Sequence, residues 1–174
     1  MSENAVCEID VAKYYLKCEL GKVAREWTQT EDFVKTFDQT IDKLDDKDAY
    51  RLAVTLSCHY RMNPLCHRWG NRFQWRLREI PLSQLLLSEI NDKVRPTLMK
   101  CRYNLAEFVQ YLKDSGTKDN NLREFRDEAR RIWHSRIISE DILSGKIQIL
   151  DGSHRAVILA MRGNAEILCY VAQK

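Results

Sequence analysis

Apolar positions recur at helical spacing through the first seventy residues, which predicts helices there rather than strands. Val6, Ile9, Ala12, Tyr14 and Leu16 make a first apolar face, and Gly21 is placed to stop that helix. Asp32 fits the cap of a second helix carrying Phe33, Phe37, Ile41 and Leu44 on one side. Asp48 fits the cap of a third, with Tyr50, Ala53, Val54, Ser57 and Cys58 inward. Asn63-Pro64 breaks the pattern, because the residue before a proline is driven out of the helical region. Trp69, Phe73 and Trp75 then suggest packing of the helical part against the later half of the chain.

The texture changes near Leu77. Residues 77–82 read as a short strand ended by Pro81, and Ser83 as the cap of a turn through Leu87. Asn104 is a good cap for a helix with Leu105, Phe108, Val109 and Leu112 on one face and Gly116 behind it. Residues 122–136 carry Leu122, Phe125, Ala129, Ile132 and Trp133 at helical spacing. Residues 147–150 alternate as a strand that runs into Asp151-Gly152. Residues 153–162 fit a helix stopped by Gly163, and residues 167–172 a final strand. Strands interleaved with helices in this way predict an α+β chain with an α/β-like second part. The expected organisation is a helical region over residues 1–75, followed by a sheet domain over residues 76–174.

Composition narrows the picture. Of 174 residues, 44% are hydrophobic and 30% charged, so a packed core is expected. No apolar stretch reaches the roughly 18–20 residues that cross a bilayer, and 157–161 is cut by Arg162. The start, Met1-Ser2-Glu3-Asn4, lacks a basic and apolar leader, so no membrane insertion and a cytoplasmic location are expected. In a reducing compartment the six cysteines are expected to be buried free thiols. Two of them stand in Cys58-His59 and Cys66-His67, whose spacing does not suit structural zinc. Cys58 is expected in a helix core and His67 near the domain junction. The net charge of +3 permits a nucleic-acid partner without requiring one.

Candidate chemistry gathers at Asp151-Gly152-Ser153-His154-Arg155. A strand that ends in Asp-Gly and opens a helix is a phosphate-site geometry. Glycine turns the backbone sharply, and the first amides of the helix, at the positive end of its dipole, face the ligand. Arg155 offers a planar fork for a phosphate. His154 can donate to a phosphate oxygen or move a proton. Asp151 suits a Mg²⁺ ion or the orientation of a nucleophile. Gly152 and Ser153 supply cradle amides, and Ser153 a hydroxyl. The competing reading is an ordinary Asp-Gly turn with solvated side chains.

Residues 147–156 followed by Gly163-Asn164-Ala165-Glu166-Ile167 resemble the phosphate-binding motif of the ParB/sulfiredoxin superfamily. Arg78-Glu79-Ile80-Pro81-Leu82-Ser83-Gln84-Leu85 resembles its opening strand, and residues 104–116 its next helix. The resemblance covers about residues 77–174 and implies a mixed-sheet nucleotide-binding domain using ATP and Mg²⁺. Ser153 stands where sulfiredoxins have their catalytic cysteine, so sulfinic-acid reduction is not expected. ParB partition proteins continue into a helix-turn-helix, whereas the sequence stops at Lys174, so centromere binding is not expected either. The second phosphate patch of ParB is degenerate at 88–95, where Glu89 stands instead.

Free-serine kinases of the superfamily are similar in having an acidic residue there. By that resemblance Glu89 is the general base and Asp151 serves the metal or phosphate; the expected catalytic set is Glu89, Asp151 and His154. A solvated loop carboxylate is the other reading of Glu89. A helical first part before such a domain is similar to the Osa-type plasmid fertility-inhibition proteins. That resemblance implies ATP hydrolysis and DNA cleavage that inhibit conjugative transfer of a competing plasmid or T-DNA, with parts of the transfer machine as partners. The alternatives are a small-molecule kinase and a non-catalytic nucleotide-gated DNA-binding module. Arg123, Arg126, Arg130, Arg131 and Arg136 make a basic stripe that could meet DNA phosphates. Glu124, Asp127 and Glu128 interleave with it, and internal ion pairs are the competing reading.

Overall fold

The computed structural model describes residues 4–27, 31–59, 64–70, 73–88, 92–115, 134–143 and 145–174. The chain divides into two compact units, residues 5–75 with Lys174, and residues 76–173 with 1–4.

The first unit holds α1 (Glu8–Trp27), α2 (Glu31–Asp42), α3 (Asp46–His59) and a 3₁₀ turn (Pro64–Arg68). Glu8 and Asp10 lie in the first turn of α1, where the helix dipole favours negative charge. Val11, Ala12, Tyr15 and Leu16 are buried, and α1 packs on both α2 and α3. Gly21 does not stop α1, which runs on to Trp27. A glycine inside a helix costs about 1 kcal/mol, less than the burial of a helix face supplies. Helix α3 starts two residues before the expected cap. Asp45 sets the start, its Oδ1 accepting from the Lys47 amide at 2.9 Å. Lys13 Nζ reaches Asp46 at 2.8 Å and Lys17 Nζ reaches Asp42 at 2.8 Å, fixing α1 against the α2–α3 connection.

Small residues Ala49, Ala53 and Ser57 form the buried stripe of α3, and Cys58 is exposed rather than in the core. Cys58 is disulfide-bonded to Cys66, so the expectation of six free thiols fails for this pair. Trp69 packs within 6.1–6.3 Å of the rings of Tyr15, Tyr50 and Trp75, all in the same unit.

The second unit is built on a mixed six-stranded sheet of order β1-β2-β6-β4-β5-β3. Its strands are β1 (Asn4–Val6), β2 (Gln74–Pro81), β3 (Leu85–Leu86), β4 (Ile137–Leu143), β5 (Lys146–Asp151) and β6 (Glu166–Gln173). Pairs β3–β5 and β4–β6 are parallel, and β4–β5 is antiparallel. Strand β4 carries no clear strand signal in the sequence, because Ser139, Glu140 and Asp141 interrupt its apolar pattern. It nonetheless lies inside the sheet between β5 and β6, with Ser139 and Glu140 buried. Among the described residues its helices are α4 (Arg95–Lys100), α5 (Leu105–Ser115) and α6 (Ser153–Met161).

Asn104 caps α5 as expected, its Oδ1 accepting from the Glu107 amide at 3.1 Å while Nδ2 donates to the Ser83 carbonyl at 2.8 Å. Five consecutive residues of α6, Ala156, Val157, Ile158, Leu159 and Ala160, are buried, as in a helix enclosed on all sides. The core joins Leu105, Phe108 and Leu112 of α5 with Val157 of α6, Ile137, Ile147 and Ile149 of the sheet, and Cys169 and Val171 of β6. Of the helix expected over 122–136, residues 134–136 are not helical, and the rest lies outside the described residues.

Candidate functional site

Strand β5 ends on Asp151, which pairs across to Ile138 of β4. The chain then turns through Gly152 in the left-handed region, at φ 96° and ψ 23°. A side chain there would be strained, and its Cβ would come within 2.8 Å of Arg155 Nη2 and 3.0 Å of Ile137 Cδ1. Helix α6 begins at the next residue, with its first backbone bond from the Ala156 amide to the Gly152 carbonyl at 2.9 Å. The cap residue, Gly152, brings no side chain to this first turn. The three amides before Ala156 precede the helix's own acceptors, and they lie at the positive end of the dipole.

Arg155 and Asp151 face each other across this turn. Arg155 Nη2 lies 2.5 Å from Asp151 Oδ2, and only 16% and 12% of the two side chains are exposed. The pair is therefore well shielded, and separating it without a substitute partner would be costly. His154 lies beside it, half-buried in the first turn of α6.

Ser153 connects the turn to a second segment. Its Oγ accepts from the Ser88 amide at 3.3 Å and lies 2.8 Å from Ser88 Oγ. Since β3 and β5 are parallel neighbours, Ser88 and Ser153 lie just past the carboxyl ends of adjacent strands. That edge of a sheet is the ordinary place for a ligand in α/β folds. The Leu87 amide donates to the Tyr103 carbonyl at 2.7 Å, which steadies the exit of β3. Tyr103 and Arg102 both adopt positive φ, 58° and 50°, in the turn that closes α4.

The structure thus brings Asp151, Gly152, Ser153, His154 and Arg155 into one turn. Glu89, the expected base, lies outside the described residues, as do Arg123, Arg126, Arg130 and Arg131. Arg136 is described, and it does not belong to a helical stripe. It stacks 5.3 Å from the Tyr170 ring and donates to that residue's hydroxyl. Among the described residues, no three His, Cys, Asp or Glu side chains gather into a metal cluster. Asp151 can still supply one carboxylate to Mg²⁺, which commonly takes its other ligands from water and substrate phosphates.

Two features are not legible along the chain. In the sequence Ser88 reads only as the start of a degenerate patch, and its partner lies 65 residues away. Glu140 is 6% exposed on an interior strand, opposite Gln148 of β5 and Ala172 of β6. Its sole sequence signal is an acidic residue inside a stretch flanked by Ile137, Ile138, Ile142 and Leu143. Compared with known proteins, the chain matches no family model, and no curated protein or solved structure matches it significantly.

Proposed function

We propose that residues 76–174 bind the phosphates of a nucleoside triphosphate at the 151–155 turn, and that the protein is a nucleotide-dependent hydrolase. The observation that carries this reading is the left-handed Gly152 between a strand-ending Asp151 and a helix whose cap residue carries no side chain, with Arg155 held beside it. Backbone donors, a bidentate cation and a carboxylate then share one turn.

Binding would proceed by exchange. The Arg155 guanidinium leaves Asp151 for a phosphate, exchanging one anionic partner for another that its fork can hold in two bonds. Asp151 is released as its own partner is taken, and its carboxylate becomes free to meet the Mg²⁺ that accompanies the phosphates. That ion would neutralise charge on the phosphate oxygens. His154 donates to the same anion or carries a proton. Hydrolysis then asks mainly for positioning and charge neutralisation around an in-line water, oriented by Asp151 or Glu89.

The resemblance to fertility-inhibition proteins extends the proposal to DNA as the target, cleaved so that transfer of a competing plasmid is inhibited. Arg123, Arg126, Arg130 and Arg131 would then supply contacts to the DNA backbone.

The test measures phosphate release from ATP with Mg²⁺, and in parallel the integrity of added plasmid DNA. Turnover that falls at least about 100-fold in Arg155→Ala is expected, the scale of losing one charge-stabilising donor. Nucleotide binding without turnover would reduce the protein to a nucleotide-gated module. A phosphorylated small hydroxylated metabolite with intact DNA would make it a kinase. No binding of any nucleoside triphosphate at millimolar concentration would end the proposal.

A further inference from the structure

The helical unit carries a feature that nucleotide chemistry leaves unused. Cys58 sits in the last turn of α3, and Cys66 in the 3₁₀ turn of residues 64–68, with their Cα atoms 4.9 Å apart. That separation lies in the ordinary range for a bridged pair, so the backbone need not move when the bond forms. Cys58 is exposed. We propose that Cys58 and Cys66 are a reversible thiol–disulfide pair, a redox-responsive clasp between α3 and the 64–68 turn.

Reversibility comes from what else holds the turn. Leu65 is fully buried. Trp69 is buried too, and its Nε1 donates to Ser57 Oγ, the neighbour of Cys58, at 2.8 Å. These anchors persist when the sulfur–sulfur bond is broken, so the two thiols stay within reach of each other. The clasp can therefore open without unfolding the unit and close again without a search. Shuffling with Cys18, Cys101 and Cys169 is disfavoured, because all three are buried, and burial pushes the Cys101 and Cys169 thiols up, away from the reactive thiolate.

Opening uses a low-molecular-weight thiol such as reduced glutathione. Its thiolate attacks Sγ of the exposed Cys58, forming a mixed disulfide and expelling Cys66 as a thiolate that takes a proton. A second small thiol attacks the small-molecule sulfur of the mixed disulfide and frees Cys58. Two small thiols lose two electrons and two protons to become one disulfide, and the protein gains them as two thiols. A small disulfide drives the reverse.

The test counts reactive thiols by intact mass after alkylation of the folded full chain. Protein equilibrated with oxidised glutathione is expected to carry one adduct, alkyl or glutathionyl, at exposed Cys7. After millimolar reduced glutathione at neutral pH it takes three. The melting temperature should drop by about 4 °C or more on reduction, since a short covalent loop is lost, and recover on reoxidation. Cys58→Ser and Cys66→Ser should melt like the reduced wild type and ignore glutathione. Three adducts under oxidising conditions would show that the bond does not form. One adduct after prolonged reduced glutathione would show a permanent disulfide. Either result overturns the proposal, and wild-type protein alone decides both.

Discussion

Arg155 and Asp151 form a close, largely buried ion pair, so under the proposed function each would compete with the other's ligand. If Arg155 must leave Asp151 to take a phosphate, Asp151→Asn should bind metal-free nucleotide several-fold more tightly, by removing the competitor, yet turn it over more slowly with Mg²⁺. Weaker metal-free binding in titration calorimetry would sink the exchange scheme. Gly152 enforces the same geometry. Gly152→Ala meets both the positive φ of 96° and contacts of 2.8–3.0 Å with Arg155 and Ile137. We expect it to cost about 1–3 kcal/mol in denaturant unfolding.

Cys169 supplies a pH test at the same scale. Burial pushes its thiol from an ordinary 9.0 up to about 12, against the opposing pull of Ser139 and Arg78. Burial likewise raises Cys101 and Tyr50. Above pH 9 the unfolded chain loses protons that the native chain keeps, so stability falls as pH rises. The expected loss is about 1.4 kcal/mol per pH unit for Cys169, between pH 9 and about 12, with none below pH 8. Urea midpoints from about pH 7.5 to 11 read this slope. An equally steep slope in Cys169→Ala would refute the assignment.

Among the elements, α5 rests on its first residues. Asn104 serves two roles at once, capping α5 and bonding the Ser83 carbonyl beside β3. Asn104→Ala should therefore exceed an ordinary cap loss of about 1 kcal/mol, whereas Asn104→Asp should keep the cap and lose only the second bond. Helix α6 behaves differently. Its stability comes from burial of Ala156, Val157, Ile158, Leu159 and Ala160, since its cap residue is a glycine with no side chain to offer.

For the whole molecule, the two compact units carry one handle each. Nucleotide should stabilise the unit containing the 151–155 turn, by about 2.7 kcal/mol at a hundredfold excess over Kd. Thiol reduction should weaken the unit containing Cys58 and Cys66. Calorimetry of the full chain is expected to show the same nucleotide shift in the oxidised and reduced states. A nucleotide shift that vanished on reduction would reveal energetic coupling between the units. No helix among the described residues is long and apolar enough to cross a membrane.

Short-range chemistry was legible in the sequence. Asn104 with Leu105, Phe108, Val109 and Leu112 announces α5, and the alternation of 147–150 before Asp151-Gly152 announces the turn into α6. Capping, side-chain period and glycine geometry all act within one or two helical turns, so they can be read along the chain. Pairing between distant segments cannot. Strand β4 looks polar because Ser139 and Glu140 belong inside the sheet only once β5 and β6 flank it. Gly21 signals a stop that the packing of α1 overrides. Ser88 meets Ser153, and Cys58 meets Cys66, because the fold returns each segment to its partner. Sequence determined that a strand turns through glycine into a helix at 151–155. Tertiary structure decided that Asp151 holds Arg155 there, and that Ser88 ties the turn to the neighbouring strand.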